Sequence, residues 1–347
     1  LTQSEIHDVS LFGNGVAGSV GLDLKNSYDN IITKCAFNGF ETGHISTIKS
    51  APNDVFSGQT HYDGCDFWDN DANGCEFTAS DNVFAQIIMT KCHWKTNAGI
   101  GLVISGGKNH TVEIYGGHFE SNVGGDVHVT STVLHGPRIR AHFNSEVTAN
   151  PKVLLDGNRT FILEGTEFVS GGTSIEVNGD SNVIGRSYHR NCANPIVISS
   201  SATNTFIARQ EFASTTGTAI QDAGSYTRYE DEITIAIEVD LANSGTATAS
   251  LLAELDKQYW LHSVKFTNAT ALSSAPTVNI GRSGSLSQYI GGLALSSTTQ
   301  FATQTIARAS LSSTFATAGN ILTFYNATGS LTGRVLVEIR MIPWSFF

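Results

Sequence analysis

The chain has 347 residues, a formal net charge of −11 and only 15% charged residues. That acidic balance argues against nucleic acid as a partner, because phosphates require a basic face. No apolar run approaches bilayer-spanning length, so no membrane insertion is expected. The five cysteines, Cys35, Cys65, Cys75, Cys92 and Cys192, include no CxxC pair. Their number is odd, which argues against a disulfide framework and a zinc site alike. No metal and no cofactor are expected.

Read from Leu1 onward, the sequence opens inside a repeat, as expected for a fragment or processed product of something longer. An aromatic anchor then returns at Phe37, Phe67, Trp94, Phe119, Phe143, Phe168 and Phe212. The separations are 30, 27, 25, 24, 25 and 44 residues, the last being two repeats of 22. Such a period marks a solenoid with one coil per repeat. Each coil carries three short runs of alternating polarity, for example Thr166-Glu167-Phe168, Ser174-Ile175-Glu176-Val177 and Asn182-Val183-Ile184. Three strands per turn without a helix predict a right-handed single-stranded parallel β-helix of about nine coils over residues 1–230.

Small residues stand two positions before the anchors: Cys35, Cys65, Cys92, Gly117, Ala141 and Thr166. They read as an inward file that admits only small side chains. Asn70, Asn97 and Asn122, three residues beyond their anchors, read as a stacked turn ladder. The third run of each coil shows apolar residues at positions taken as outward, namely Phe84, Ile162, Ile184 and Ile207. An apolar outer face implies cover by another chain, and a homotrimer is expected.

After about Glu230 the period stops. Alternating runs at residues 233–239, 260–266, 321–325 and 334–340, separated by Gly, Ser and Thr clusters, predict a C-terminal antiparallel β-sandwich over 231–347. It is expected to cap the coils and to serve trimerisation or glycan binding. The apolar tail at 341–347 is expected to pack at an intersubunit seam.

Chemistry is expected on the lateral wall. The outward position before each anchor forms a column of Asp66, His93, His118, His142, Glu167 and Glu211. The long insertion from His44 to Asp63 leads into Tyr62-Asp63-Gly64-Cys65-Asp66-Phe67-Trp68-Asp69. Glycoside cleavage needs two carboxylates, and Asp66 and Asp69 are the expected pair, with Asp63 and Glu76 beside them. Trp68 and Tyr62 offer flat apolar faces for sugar rings, with His93 and Lys95 as polar contacts. Glu164 and Glu167, flanked by Glu146 and Glu176, form a second candidate pair. A lyase would instead need a base and a cation, which Arg138, Arg140, His118 and His142 could supply.

The acidic β-helix, the inferred oligomeric face, the terminal sandwich and the opening Leu1-Thr-Gln-Ser-Glu-Ile-His-Asp-Val-Ser-Leu-Phe-Gly-Asn-Gly together resemble a bacteriophage tailspike. The opening is similar to the coils that follow a tailspike's virion-binding region. The resemblance implies a homotrimeric virion protein that binds, and often depolymerises, a bacterial surface polysaccharide without a cofactor. Endo-glycosidic hydrolysis is the first expectation. A polysaccharide lyase and a non-catalytic receptor-binding fibre are the alternatives.

Overall fold

The computed structural model describes residues 4–25, 29–48, 57–79, 84–106, 109–144, 146, 149–214, 217–225, 227–230, 233–241, 250–254, 259–282, 285–307, 315–316, 321–326 and 331–343. The chain divides into two compact units, residues 1–230 and 231–346. The first is a parallel β-helix. Its strands form a 17-stranded sheet and a nine-stranded sheet, and each pairs in parallel with the equivalent strand one coil on. The larger sheet holds two files of strands that meet at a bend. Strands Asn109–Glu120 and Arg138–Asn144 run through that bend and join the files.

The anchors form one interior column in strict register, Phe37, Phe67, Trp94, Phe119, Phe143, Phe168, His189 and Phe212. Their rings stack: Trp94 on Phe119 at 4.2 Å between centroids, and Phe119, Phe143 and Phe168 at 4.8 Å successively. Offset stacking adds about 0.5–1.5 kcal/mol per pair beyond the area buried. His189 fills the place that the double spacing left open, 4.9 Å from Phe168. Burial holds its imidazole down to about 3, so it serves as a neutral ring. The small-residue file is likewise interior, and all five cysteines are free and buried.

The asparagine ladder lines the next corner. Asn70 Nδ2 donates to Asn97 Oδ1 at 2.8 Å, and Asn97 Nδ2 donates to Asn122 Oδ1 at 2.7 Å. Asn122 Nδ2 donates in turn to Asp126 Oδ1 at 2.8 Å, where the ladder ends. Asp126 is fully buried, its Oδ2 has no hydrogen-bond partner, and burial pushes its carboxyl up to about 7. A carboxyl raised above its unfolded value favours folding while protonated. That contribution is lost as pH rises from about 4 to about 7. Asp126→Asn keeps the acceptor for Asn122 and removes the buried charge. It is expected to raise the denaturation midpoint more at pH 8 than at pH 5, as urea titrations at the two pH values would show.

The outer face of the third run differs from expectation. Ile162, Ile184 and Ile207 are buried inside the coil. The outward apolar residues are their neighbours Phe161, Val183 and Phe206, paired rung to rung. The side chain of Phe84 and residues 49–56 of the long insertion lie outside the described residues.

The second unit is a sandwich of two antiparallel sheets. One contains Ile233–Asp240, Arg334–Pro343, Tyr259–Asn268 and Thr303–Ala307, with Phe315–Ala316 beside Tyr259–Asn268. The other contains Ser250–Glu254, Ile321–Asn326, Thr277–Arg282 and Ser285–Ala294. Val264, Phe266, Val337 and Ile339 of the first sheet share a core with Val278, Ile280, Tyr289 and Phe324 of the second. Met341 and Ile342 of the tail are buried, and residues 344–347 lie outside the described set.

Candidate functional site

Because the anchors point inward, the residue before each one points out. Parallel pairing sets those residues in a file of Asp66, His93, His118, His142, Glu167, Tyr188 and Glu211. The side chains link along it. His93 Nδ1 lies 3.1 Å from Asp66 Oδ1, the His118 and His142 rings stack at 4.9 Å, and His142 Nδ1 lies 3.0 Å from Glu167 Oε2. Partial burial, with the neighbouring His142 imidazole, holds His118 below the ordinary histidine value. Among the described residues no group of His, Cys, Asp and Glu is arranged to hold a metal ion.

At the Asp66 end, the acids are tied to the next coil. Asp63 Oδ1 accepts from Thr90 Oγ1 at 2.6 Å, Asp66 faces His93, and Asp69 accepts from Thr96 Oγ1. Trp68 is half-buried and pairs in register with Lys95. Two residues of this group stand elsewhere. Tyr62 is 1% exposed, and its hydroxyl hydrogen-bonds His44 Nε2 at 2.8 Å. It is a core side chain and offers no face to a sugar. Glu76 projects from the nine-stranded sheet, where Asn73 Nδ2 donates to it, and so does not share the sheet of Asp63 and Asp66.

At the other end of the file the wall opens. Glu164, Gly165, Thr166, Glu167, Arg186, Ser187, Tyr188 and Glu211 line a recess of about 490 Å³, within the range typical of ligand sites. Glu167, Tyr188 and Glu211 stand on successive rungs. Rung spacing therefore separates the Glu167 and Glu211 backbones by about 9.6 Å. Buried Thr166 and Ser187 lie at the base. Arg186 Nη2 donates to Glu230 Oε1 at 3.1 Å. The Arg209 backbone N–H and this guanidinium hold Glu230 below the usual carboxylate range. Glu146 and Glu176, expected to flank the pair, do not line the recess, and Glu176 lies on the nine-stranded sheet.

Four lining residues, Gly165, Arg186, Ser187 and Tyr188, were not foreseen. Tyr188 precedes His189, a core anchor that a search confined to Phe and Trp passes over; halving the 44-residue interval falls one residue late, on Arg190. Arg186 sits in a corner that carries no repeat signal.

No protein-family model matches the chain, and neither does any curated protein sequence. Solved structures do match. The tailspike of Acinetobacter baumannii bacteriophage Fri1, a capsular polysaccharide depolymerase, is 12% identical over 97% of this chain and 66% of its own, with a TM-score of 0.33. For the tailspike of Pseudomonas phage LKA1 the values are 12%, 98%, 63% and 0.32. A chain of the cyanophage Pam1 capsid asymmetric unit is 20% identical over 32% of this chain and 84% of its own, at a TM-score of 0.24. The chain is similar to phage tailspikes. It spans just under two thirds of the length of the two tailspikes described, and at these scores no residue is transferred from them.

Proposed function

We propose that this chain is a phage tailspike that binds a bacterial surface polysaccharide and cuts it by endo-glycosidic hydrolysis. The observation that carries the reading is the recess in which Glu167 and Glu211 share one outward file with Tyr188 between them. Hydrolysis with inversion uses carboxyl groups about 6.5–9.5 Å apart, leaving room for water between base and sugar. A two-rung backbone separation lies at the upper edge of that range, and the flexible glutamate side chains can close it. One carboxyl protonates the glycosidic oxygen; the other takes the proton of the attacking water. Tyr188 supplies an aromatic face, and Glu164 is the third acid at the rim. Asp63, Asp66, Asp69, Trp68, His93 and Lys95 then serve as glycan contacts further along the wall.

The outward stripe of Phe161, Val183 and Phe206 supports a homotrimer packed through this face, acting on the virion at the bacterial surface. The sandwich is assigned to trimerisation or glycan binding. The test is the appearance of new reducing ends on host polysaccharide. Asp66→Asn and Asp69→Asn are expected to keep turnover within about tenfold of wild type, since neither supplies the transferred proton. If these two abolish cleavage, catalysis belongs to the aspartate cluster and the recess is a binding site.

Elimination is the second reading, favoured by a cation beside the recess, Arg140, and the phenol of Tyr188 within it. Ultraviolet absorbance of an unsaturated uronate in the product would establish it. Binding without new chain ends of either kind would leave a receptor-binding fibre.

A further inference from the structure

We infer that Arg140 forms a subsite for the carboxylate of an acidic sugar, so that the polymer held at this recess carries uronate or related units. The inference rests on reading the recess as a glycan site and names the substrate class. Its origin is a difference between neighbouring coils. In most coils the bend of the larger sheet contains an extra residue in the left-handed region, such as Gly64, Lys91, Gly116 and Gly165. The coil of Arg138–Asn144 lacks it, and pairing with the previous coil slips between Tyr115 and Gly117 to compensate. Arg140 therefore lies directly before inward Ala141 and over the corner of the following coil, which is Gly165.

There the guanidinium lies against bare backbone. A Cβ at Gly165, whose φ is +83°, would stand 3.2 Å from both Nε and Nη2 of Arg140. Gly165 itself lines the recess. Arg140 is exposed and has no ion pair among the described residues. Its neighbours are engaged: Arg138 faces Glu113 and the ring of Phe161, and Arg186 faces Glu230.

Charge then fixes where an acidic sugar can lie. Glu164, Glu167 and Glu211 repel a carboxylate over most of the recess, and the Gly165 edge is where a guanidinium offers parallel N–H donors. Paired N–H···O bonds to a planar carboxylate are the recognition for which arginine is suited. An acidic residue bound there would set the register of the polymer against the two catalytic carboxylates.

The test uses the full chain with polygalacturonate, polysialate and a panel of acidic capsular polysaccharides. Each polymer is supplied native and with its carboxyl groups reduced to alcohols, with dextran as the neutral polymer. Surface plasmon resonance reads binding, and new chain ends read cleavage. At least one acidic polymer is expected to bind. Arg140→Gln and carboxyl reduction should each weaken that binding about tenfold or more, without adding to one another, and Arg140→Lys should fall between. Unchanged binding by Arg140→Gln, indifference to carboxyl reduction, or no binding to any acidic polymer would overturn the subsite. Binding that depends on Arg140 without new chain ends would keep the subsite and remove the depolymerase reading. Cleavage that Arg140→Gln leaves intact would do the reverse.

Discussion

Glu167→Gln and Glu211→Gln are each expected to lower depolymerase turnover by about 10²- to 10⁴-fold, the range for removal of a general acid or base. Both substitutions preserve shape. In Glu167→Gln the amide oxygen can still accept from His142 Nδ1, which lies 3.0 Å from the carboxylate now, so the outward file stays linked. Glu211 is exposed and ends that file in the described pairing, so its amide should leave folding unchanged. Binding should persist while cleavage disappears, separating a role in chemistry from one in contact. The double variant should be hardly slower than the worse single one, because the two carboxyls act in one step. Reducing-end release, with binding measured in parallel, checks this. Full activity in both single variants would show that the recess is not where the bond breaks.

How much of this was legible in the sequence depends on one feature of the corners. Along a straight strand, alternation assigns every side chain to a face, and the anchor runs followed that rule. Phe119, Phe143 and Phe168 share one interior file, and the residues before them share one outer file. At the bend before the anchor strand, one residue in the left-handed region reverses the alternation. Ile32 and Cys35 both point inward across Lys34; Tyr62 and Cys65 do so across Gly64; Met89 and Cys92 do so across Lys91. Lysine gives no turn signal, so parity cannot be carried through the bend by counting. That slip brought Tyr62 to the surface in the sequence reading. Ile162, Ile184 and Ile207 were also placed outside, when Phe161, Val183 and Phe206 hold those places.

The recess was half legible for a related reason. Glu164 and Glu167 stood out as acids three apart, but the aromatic beside them comes from the following coil, whose anchor is a histidine. A histidine can occupy the core column because Ser187 Oγ and Gln210 Oε1 lie 3.0 and 3.3 Å from its Nε2. In the sandwich, the alternating runs within Ile233–Asp240, Tyr259–Asn268, Ile321–Asn326 and Arg334–Pro343 were visible, and Thr277–Arg282 and Thr303–Ala307 were not. Nor were Ser285–Ala294, with its glycine pair at 291–292, and the short Ser250–Glu254, since both lack the alternating apolar signal.

Asn97→Ala is expected to destabilise the protein by about 4 kcal/mol, lowering the thermal midpoint by roughly 10 °C. The side chain is fully buried at the centre of the corner ladder. Its Nδ2 donates to the Phe67 carbonyl at 3.0 Å and to Asn122 Oδ1 at 2.7 Å. Its Oδ1 accepts from the Asn70 backbone N–H at 3.2 Å and from Asn70 Nδ2 at 2.8 Å. Alanine removes all four bonds at once. A buried polar group left without a partner costs about 1–3 kcal/mol, and the Asn70 N–H has no room to find water. Aspartate should be no better: it retains the two acceptor functions but sets a carboxylate against the Phe67 carbonyl and Asn122 Oδ1. Exposed Asn150, whose Nδ2 donates to the Val123 carbonyl at 3.0 Å, is the control, because water replaces the lost bond. Asn150→Ala should melt within about 1 °C of wild type. Differential scanning calorimetry of the three variants decides it. If Asn97→Ala melts as Asn150→Ala does, the ladder is not what holds the corner, and backbone pairing with the aromatic stack suffices.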